Sequence, residues 1–214
     1  MMADNYYDPI IVLGTGRCGS SATAGILHRI GVHMGFSFKP PDNQNVYGYY
    51  EDVTISQLNN SLIRDEITLR QWNTQMAVQF AKRRNLRVPW GWKHPMTADL
   101  LLPMLGHCIS PLVVRCSRDK AATIESFVKA YAKDGCDEAK AKNFVTTRTG
   151  YMDKWLKDYN VLEIEYEDIR AEPERIVNVL CEFIGLYPAK QDILNAVGSI
   201  RTVATDPEMI VIPS

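Results

Sequence analysis

The chain has 214 residues, 46% of them hydrophobic, 23% charged and 9% aromatic. These proportions exclude wholesale disorder and fit one ordinary globular domain over residues 1–214. Twenty-four Lys and Arg against twenty-five Asp and Glu leave a net charge of −1. That excludes a chain-wide field for nucleic acid or an anionic membrane, while a local basic pocket stays open.

Strand and helix signals alternate, the pattern of an α/β fold in which helices cover a central sheet. Ile10-Ile11-Val12-Leu13 is a short β-branched run and reads as a central parallel strand buried on both faces. Gly14-Thr15-Gly16-Arg17-Cys18-Gly19 follows as a loop, and Ser20 to Ile30 as a helix with Ala22, Ile26, Leu27 and Ile30 on one face. Gly25 lowers helix propensity there and is expected to allow close packing on the sheet, while Gly31 suits a C-terminal cap. Residues 36–50 have no period and are rich in Pro, Gly and Tyr, a long loop of the kind that carries function.

Helices are expected at 53–69 and 74–85, then a short strand Trp90-Gly91-Trp92-Lys93 ending at His94-Pro95. A short helix follows from Thr97 to Leu105, and a buried strand from Pro111 to Cys116. Asp119 to Lys133 reads as an amphipathic helix closed by Gly135. Asp137 to Asp158 reads as another, with Phe144, Tyr151, Trp155 and Tyr159 along its stripe. The remaining signals are a strand from Val161 to Tyr166, a helix from Pro173 to Ile184 stopped by Gly185, and a last helix over 189–197.

Five widely spaced cysteines (Cys18, Cys108, Cys116, Cys136 and Cys181) contain no C-x-x-C pair, so neither a zinc site nor a disulfide framework is expected. Free thiols fit a reducing compartment, the Met1–Asp8 stretch is polar, and no apolar run approaches the roughly 18 residues of a membrane span. A cytoplasmic protein with no metal, no membrane and no nucleic-acid partner is the expectation.

The sharpest feature is strand, G-T-G-R-C-G-S-S, helix. Inward-pointing amides and the positive end of the helix make such a loop an anion site. Gly14, Gly16 and Gly19 permit its turn and a close ligand approach. Gly14 and Gly19 have the spacing of a nucleoside-triphosphate loop, but Ser20 stands where that loop has Lys, and the positive charge lies inside it, at Arg17. A kinase needs that Lys for the β- and γ-phosphates. One terminal phosphate or sulfonate, held by Arg17, amides and the Ser20 and Ser21 hydroxyls, suits the loop better.

These residues resemble the first loop of the sulfotransferases, which move a sulfonate from 3′-phosphoadenosine 5′-phosphosulfate (PAPS) to an acceptor and release the bisphosphate PAP. Arg17-Cys18-Gly19-Ser20-Ser21 has the form of the family's 5′-phosphosulfate loop, beside Gly16. Val113-Val114-Arg115-Cys116-Ser117-Arg118 leads to Ser126 eight positions after Arg118, the family's spacing for its 3′-phosphate ligands. Two helical turns place Ser126 roughly 10–12 Å along its helix, so a ligand touching both residues lies along the helix side. Ile164-Glu165-Tyr166-Glu167-Asp168-Ile169, Pro173-Glu174 and Phe183-Ile184-Gly185-Leu186 resemble a later family string whose Tyr lies near adenine. Asn45-Val46-Tyr47-Gly48-Tyr49-Tyr50-Glu51-Asp52 and Trp90-Gly91-Trp92-Lys93-His94-Pro95 are similar to segments of a bacterial-type branch, with His94 in place of its Asp. Two departures stand out: Ala22 replaces the aromatic that often follows the first loop, and the C-terminal R-K-G segment is missing, with Arg201 the candidate for its role.

The resemblance implies a three-layer α/β sandwich around a parallel sheet, similar to P-loop nucleoside triphosphate hydrolases. It implies nucleotide ligands at Gly16, Arg17, Cys18, Gly19, Ser20, Ser21, Arg118, Ser126, Tyr166 and Arg201. Arg17 and Lys93 become the cations facing the transferred group. The general base is Glu51 as first candidate, His94 as second and Asp52 as third, the last also a helix cap. The acceptor, a small molecule or carbohydrate, is expected against residues 36–50 and 60–90, with Trp72, Tyr47, Tyr49 and Tyr50 as walls. The competing readings are a P-loop kinase using ATP and magnesium, and a non-catalytic nucleotide-binding module.

Overall fold

The computed structural model describes residues 8–205, with side chains described to residue 200. Four strands, β1 (Ile10–Gly14), β2 (Gly91–Lys93), β3 (Leu112–Ser117) and β4 (Asn160–Glu165), form a sheet of order β2-β1-β3-β4. Every pairing is parallel, with Val12 opposite Lys93 on one side of β1 and Gly14 opposite Cys116 on the other.

All five residues of β1 are buried, and their alternation assigns them to two cores. Ile10 and Val12 face α1 (Ser20–Arg29), α8 (Pro173–Ile184) and α9 (Lys190–Thr205), packing with Leu27, Val177, Leu180 and Ala196. Ile11 and Leu13 face the opposite layer, formed by α2 (Val53–Ile63), α3 (Leu69–Arg84), α4 (Leu101–Leu105) and α6 (Glu138–Trp155), and pack with Trp72, Met76, Phe80, Met104 and Met152. Two further helices, α5 (Lys120–Tyr131) and α7 (Tyr166–Ala171), follow β3 and β4. The result is the expected three-layer sandwich. Among the described residues no helix is long and apolar enough to cross a membrane.

Several boundaries differ from the sequence expectation. The helices expected at 53–69 and 74–85 are 53–63 and 69–84. Asp65 takes a left-handed φ of 57°, and Thr68 and Gln71 form a reciprocal capping box that starts α3 five residues early. The helix expected from Thr97 to Leu105 divides into a 3₁₀ turn, Pro95–Ala98, and α4. The last helix continues to Thr205, past 197. Tyr166, expected at the end of a strand, is instead the first residue of α7, a helix its composition did not announce. On α6 the buried residues are Ala141, Val145, Arg148 and Met152, and Tyr151 is exposed, so the aromatic stripe does not mark the inner face. Gly25 faces a loop and not the sheet: a Cβ there would lie 2.8 Å from the Tyr50 ring.

Candidate active site

The order β2-β1-β3 sends the chain away from β1 in two directions. Such a switch point opens a crevice beyond the strands' carboxyl ends. All four strands deliver a side chain there: Arg17 after β1, Lys93 closing β2, Arg118 after β3 and Tyr166 after β4. All four line one cavity of about 770 Å³.

The loop after β1 needs its glycines. Gly16 and Gly19 both have φ of 88°, in the left-handed region, and Arg17 between them has 57°. A Cβ on Gly19 would stand 2.7 Å from Tyr166 Cδ2, and one on Gly16 3.0 Å from Phe127 Cζ. Gly19→Ala is expected to destabilise the protein by about 1–2 kcal/mol from the left-handed backbone alone. A urea titration that shows an unchanged midpoint would contradict this. Arg17 and Tyr50, two non-glycine residues at positive φ, both line the cavity, and held backbone strain of this kind gathers at functional sites.

Arg17 reaches across the cavity. Its Nε donates to Ser126 Oγ at 3.1 Å, and its Nη1 to the carbonyl of Gln44 at 3.4 Å. Arg118 Nη1 donates to the Arg17 carbonyl at 3.5 Å, and the Arg118 guanidinium lies 5.0 Å from the Tyr166 ring centroid. Arg17, Arg118, Ser126 and Tyr166, scattered over 150 positions of the chain, thus form one cluster. Ser20 and Ser21 line the same wall at the start of α1.

A second cluster adjoins it. Lys93 Nζ pairs with Glu51 Oε1 at 2.7 Å and donates to Ser21 Oγ at 3.1 Å. The Lys93 side chain is 4% exposed and that of Glu51 6%, at the cavity wall. The loop that carries Glu51 is held down by its own polar groups. Tyr49 Oη donates to Asp42 at 2.6 Å, and Gln44 Nε2 donates to the carbonyl of Ala130 on α5 at 3.0 Å.

Other expected residues lie elsewhere. Cys18 is buried in the core and does not line the cavity, so only its backbone is available to a ligand there. His94 turns toward α2, where its Nδ1 meets the Asn59 amide at 3.4 Å, and it does not line the cavity. Burial, reinforced by Lys93 and Arg148, pushes its imidazole down to about 3. Asp52 caps α2 by accepting from the Ile55 amide, and pairs with buried Arg83 at 2.8 Å. Trp72 is wholly buried and donates its indole N–H to Asn59, so it forms core and not a pocket wall. No residue of 60–90 lines the cavity, whereas Tyr47, Tyr49 and Tyr50 do. The far wall comes from α5 and α6 instead, through Phe127, Tyr131, Phe144 and Arg148. Arg201 lies on α9, but its side chain is outside the described residues.

Sequence reading missed four cavity cations, Arg29, Lys140, Arg148 and Arg170. Only Arg148 carried a usable signal, since it falls in helical register with Val145 and Met152 on a face otherwise apolar.

No family model matches this sequence, and no curated protein matches it either. Solved structures do resemble it. The sulfotransferase domain of the Synechococcus PCC 7002 olefin synthase is similar over 98% of this chain and 91% of its own, with a TM-score of 0.63 at 15% identity. Sulfotransferase STF9 from Mycobacterium avium gives 0.62 at 13% identity, over 95% of this chain and 69% of that one. Mouse sulfotransferase SULT7A1, complexed with PAP, gives 0.54 at 12% identity over 96% and 69%. Strand order, layering and these likenesses agree that the chain has the sulfotransferase fold, a P-loop-type α/β sandwich.

Proposed function

We propose that this chain, folding as one domain, transfers a sulfonate from PAPS to a hydroxyl or amine of a small-molecule or carbohydrate acceptor. The observation that carries the reading is the joining of Arg17, Ser126 and Arg118 in one cavity at the strand ends. The two anion-binding segments lie within reach of a single bisphosphorylated adenosine. Five unpaired cysteines suit a cytoplasmic setting.

The residues present fit such a donor. Amides of the Gly16–Ser21 loop and the Ser20 and Ser21 hydroxyls take the 5′-phosphosulfate. Arg118 and Ser126 take the 3′-phosphate, and the Tyr166 ring, stacked by Arg118, gives the adenine an apolar face. Arg17 and Ser126 exchange their mutual hydrogen bond for donor oxygens. The donor supplies an activated sulfonate, and the protein's share is alignment and charge stabilisation. Arg17 is permanently charged and serves as an electrostatic clamp on the leaving oxygen, not as an acid. Lys93, beside Ser21 at the start of α1, is the second cation toward the transferred group. Glu51 accepts the proton of the acceptor, since it lines the cavity beside Lys93. His94 turns toward Asn59 and lies outside the cavity, so it does not reach the acceptor.

The kinase reading lacks support in the site. Ser20 occupies the position of the phosphate-binding Lys, and Asp119 is spent as the cap of α5, accepting from the Ala122 amide at 2.8 Å. Calorimetry with PAP and with ATP tests the choice. PAP is expected to bind with a Kd on the order of micromolar, about −8 kcal/mol. Arg118→Ala is expected to weaken PAP by about 1.5–3 kcal/mol, the value of a hydrogen bond to a charged group. Tighter binding of ATP than of PAP, or an Arg118→Ala variant with unaltered PAP affinity, would overturn the proposal.

A further inference from the structure

Arg148 is a charged side chain only 2% exposed, on the inner face of α6 and at the cavity wall. Its Nε donates to Asp99 Oδ1 at 3.0 Å, and its Nη2 also engages the Asp99 carboxylate. That carboxylate leaves one edge of the guanidinium unused. Nη1 is buried and has no partner. Buried donors are satisfied in nearly all proteins, so an orphan at a cavity wall points to a missing acceptor. The plane of the group is held by the Phe144 ring, 3.6 Å from Cζ, and Phe144 packs on Phe127 with centroids 4.9 Å apart.

Arg148 lines the same cavity as Lys93 and Glu51. Arg148 Nη2 lies 2.7 Å from Met96 Sδ, three residues after Lys93, which pairs with Glu51. The donor cluster of Arg17, Arg118, Ser126 and Tyr166 makes no hydrogen bond to Arg148 among the described residues. We infer that Arg148 anchors an anionic acceptor. Nη1 binds a carboxylate of the acceptor, the apolar or aromatic body lies against Phe144 and Met96, and the hydroxyl reaches Glu51. This deepens, and rests on, the sulfotransfer reading. It narrows the acceptor to hydroxylated carboxylic acids, and makes Arg148 a specificity-determining residue. Guanidinium suits the task because its planar fork pairs with a second carboxylate while retaining the first.

The test uses the full chain saturated with PAP, titrated by calorimetry with three phenols of similar size: 4-hydroxyphenylacetate, 4-ethylphenol and tyramine. The carboxylate probe is expected to bind at least about tenfold more tightly than either of the others. Arg148→Gln is expected to reduce that preference to about threefold or less, with PAP affinity unchanged. Because Gln leaves Asp99 without its counter-charge, Arg148→Gln/Asp99→Asn is measured beside it and is expected to lose the preference equally. Equal binding of the three probes by the native chain, no binding of any, or a preference that survives in a folded Arg148 variant would overturn the inference. Failure of the native chain to bind PAP would instead remove the sulfotransfer reading. Normal PAP binding without preference for the anion would sink the acceptor assignment alone.

Discussion

Glu51→Gln lowers kcat by about 10²–10⁴-fold, the range for removal of a positioned general base, and leaves PAP affinity within about twofold of the native value. The expectation comes from placement. Glu51 is buried at the cavity wall, 2.7 Å from Lys93 Nζ, which in turn reaches Ser21 at the start of α1. A carboxylate so placed lines the same cavity as Tyr49, Tyr50 and Lys93. Gln keeps the shape and one oxygen for Lys93 but cannot take a proton. PAP affinity reports whether the nucleotide half of the site survives the change, so a kinetic loss with intact PAP binding isolates the proton-transfer step. His94→Gln serves as the contrast. His94 lies outside the cavity, so its replacement is expected to cost less than about tenfold. A Glu51→Gln enzyme that retains more than a tenth of native kcat, or a His94→Gln enzyme that loses more than Glu51→Gln does, would remove Glu51 from the role.

The second large effect concerns stability. Asp52→Ala is expected to cost about 3–5 kcal/mol, read as a drop in the urea midpoint, because it strands the Arg83 charge in the core. Arg83 is 0% and Asp52 1% exposed, with Nη2 and Oδ2 2.8 Å apart. The same carboxylate accepts from the amides of Phe36 and Ile55, joining the start of the long loop to the start of α2. A loss of this size is a large fraction of the roughly 5–15 kcal/mol that stabilises a typical domain. Arg83→Met in the Asp52→Ala background is expected to restore part of it, since no unpaired charge then remains. A single-variant cost below about 1 kcal/mol would show that water reaches Arg83 after all. The pair also bears on function, because it fixes the residue next to Glu51. Slackening the junction is expected to reach the active site through the backbone.

The boundary of what the residues alone disclose runs along a physical line. Local signals were legible: the apolar run Ile10–Leu13 that became the central strand, the glycine loop after it, and the ends of α8 at Pro173 and Gly185. The resemblance to the sulfotransferases pointed to Arg17, Arg118 and Ser126 together, and the structure places all three at one cavity. Errors arose where a side chain's surroundings come from distant segments. Trp72 looks like a pocket aromatic until α2 supplies Asn59 and closes over it. His94 looks like a base until burial pushes its imidazole down.

Sequence by itself determined the alternation of strands and helices, the parallel sheet that such alternation requires, and the glycine turn that carries Arg17 after the first strand, because each is set by short-range periodicity, turn chemistry and spacing. Only the tertiary structure decided that Arg17 meets Ser126 across one cavity, that Glu51 pairs with Lys93, and that α5 and α6 rather than residues 60–90 form its far wall. Those contacts depend on how strands are ordered in the sheet and which helices cover each face, and that ordering is a property of packing the whole chain at once.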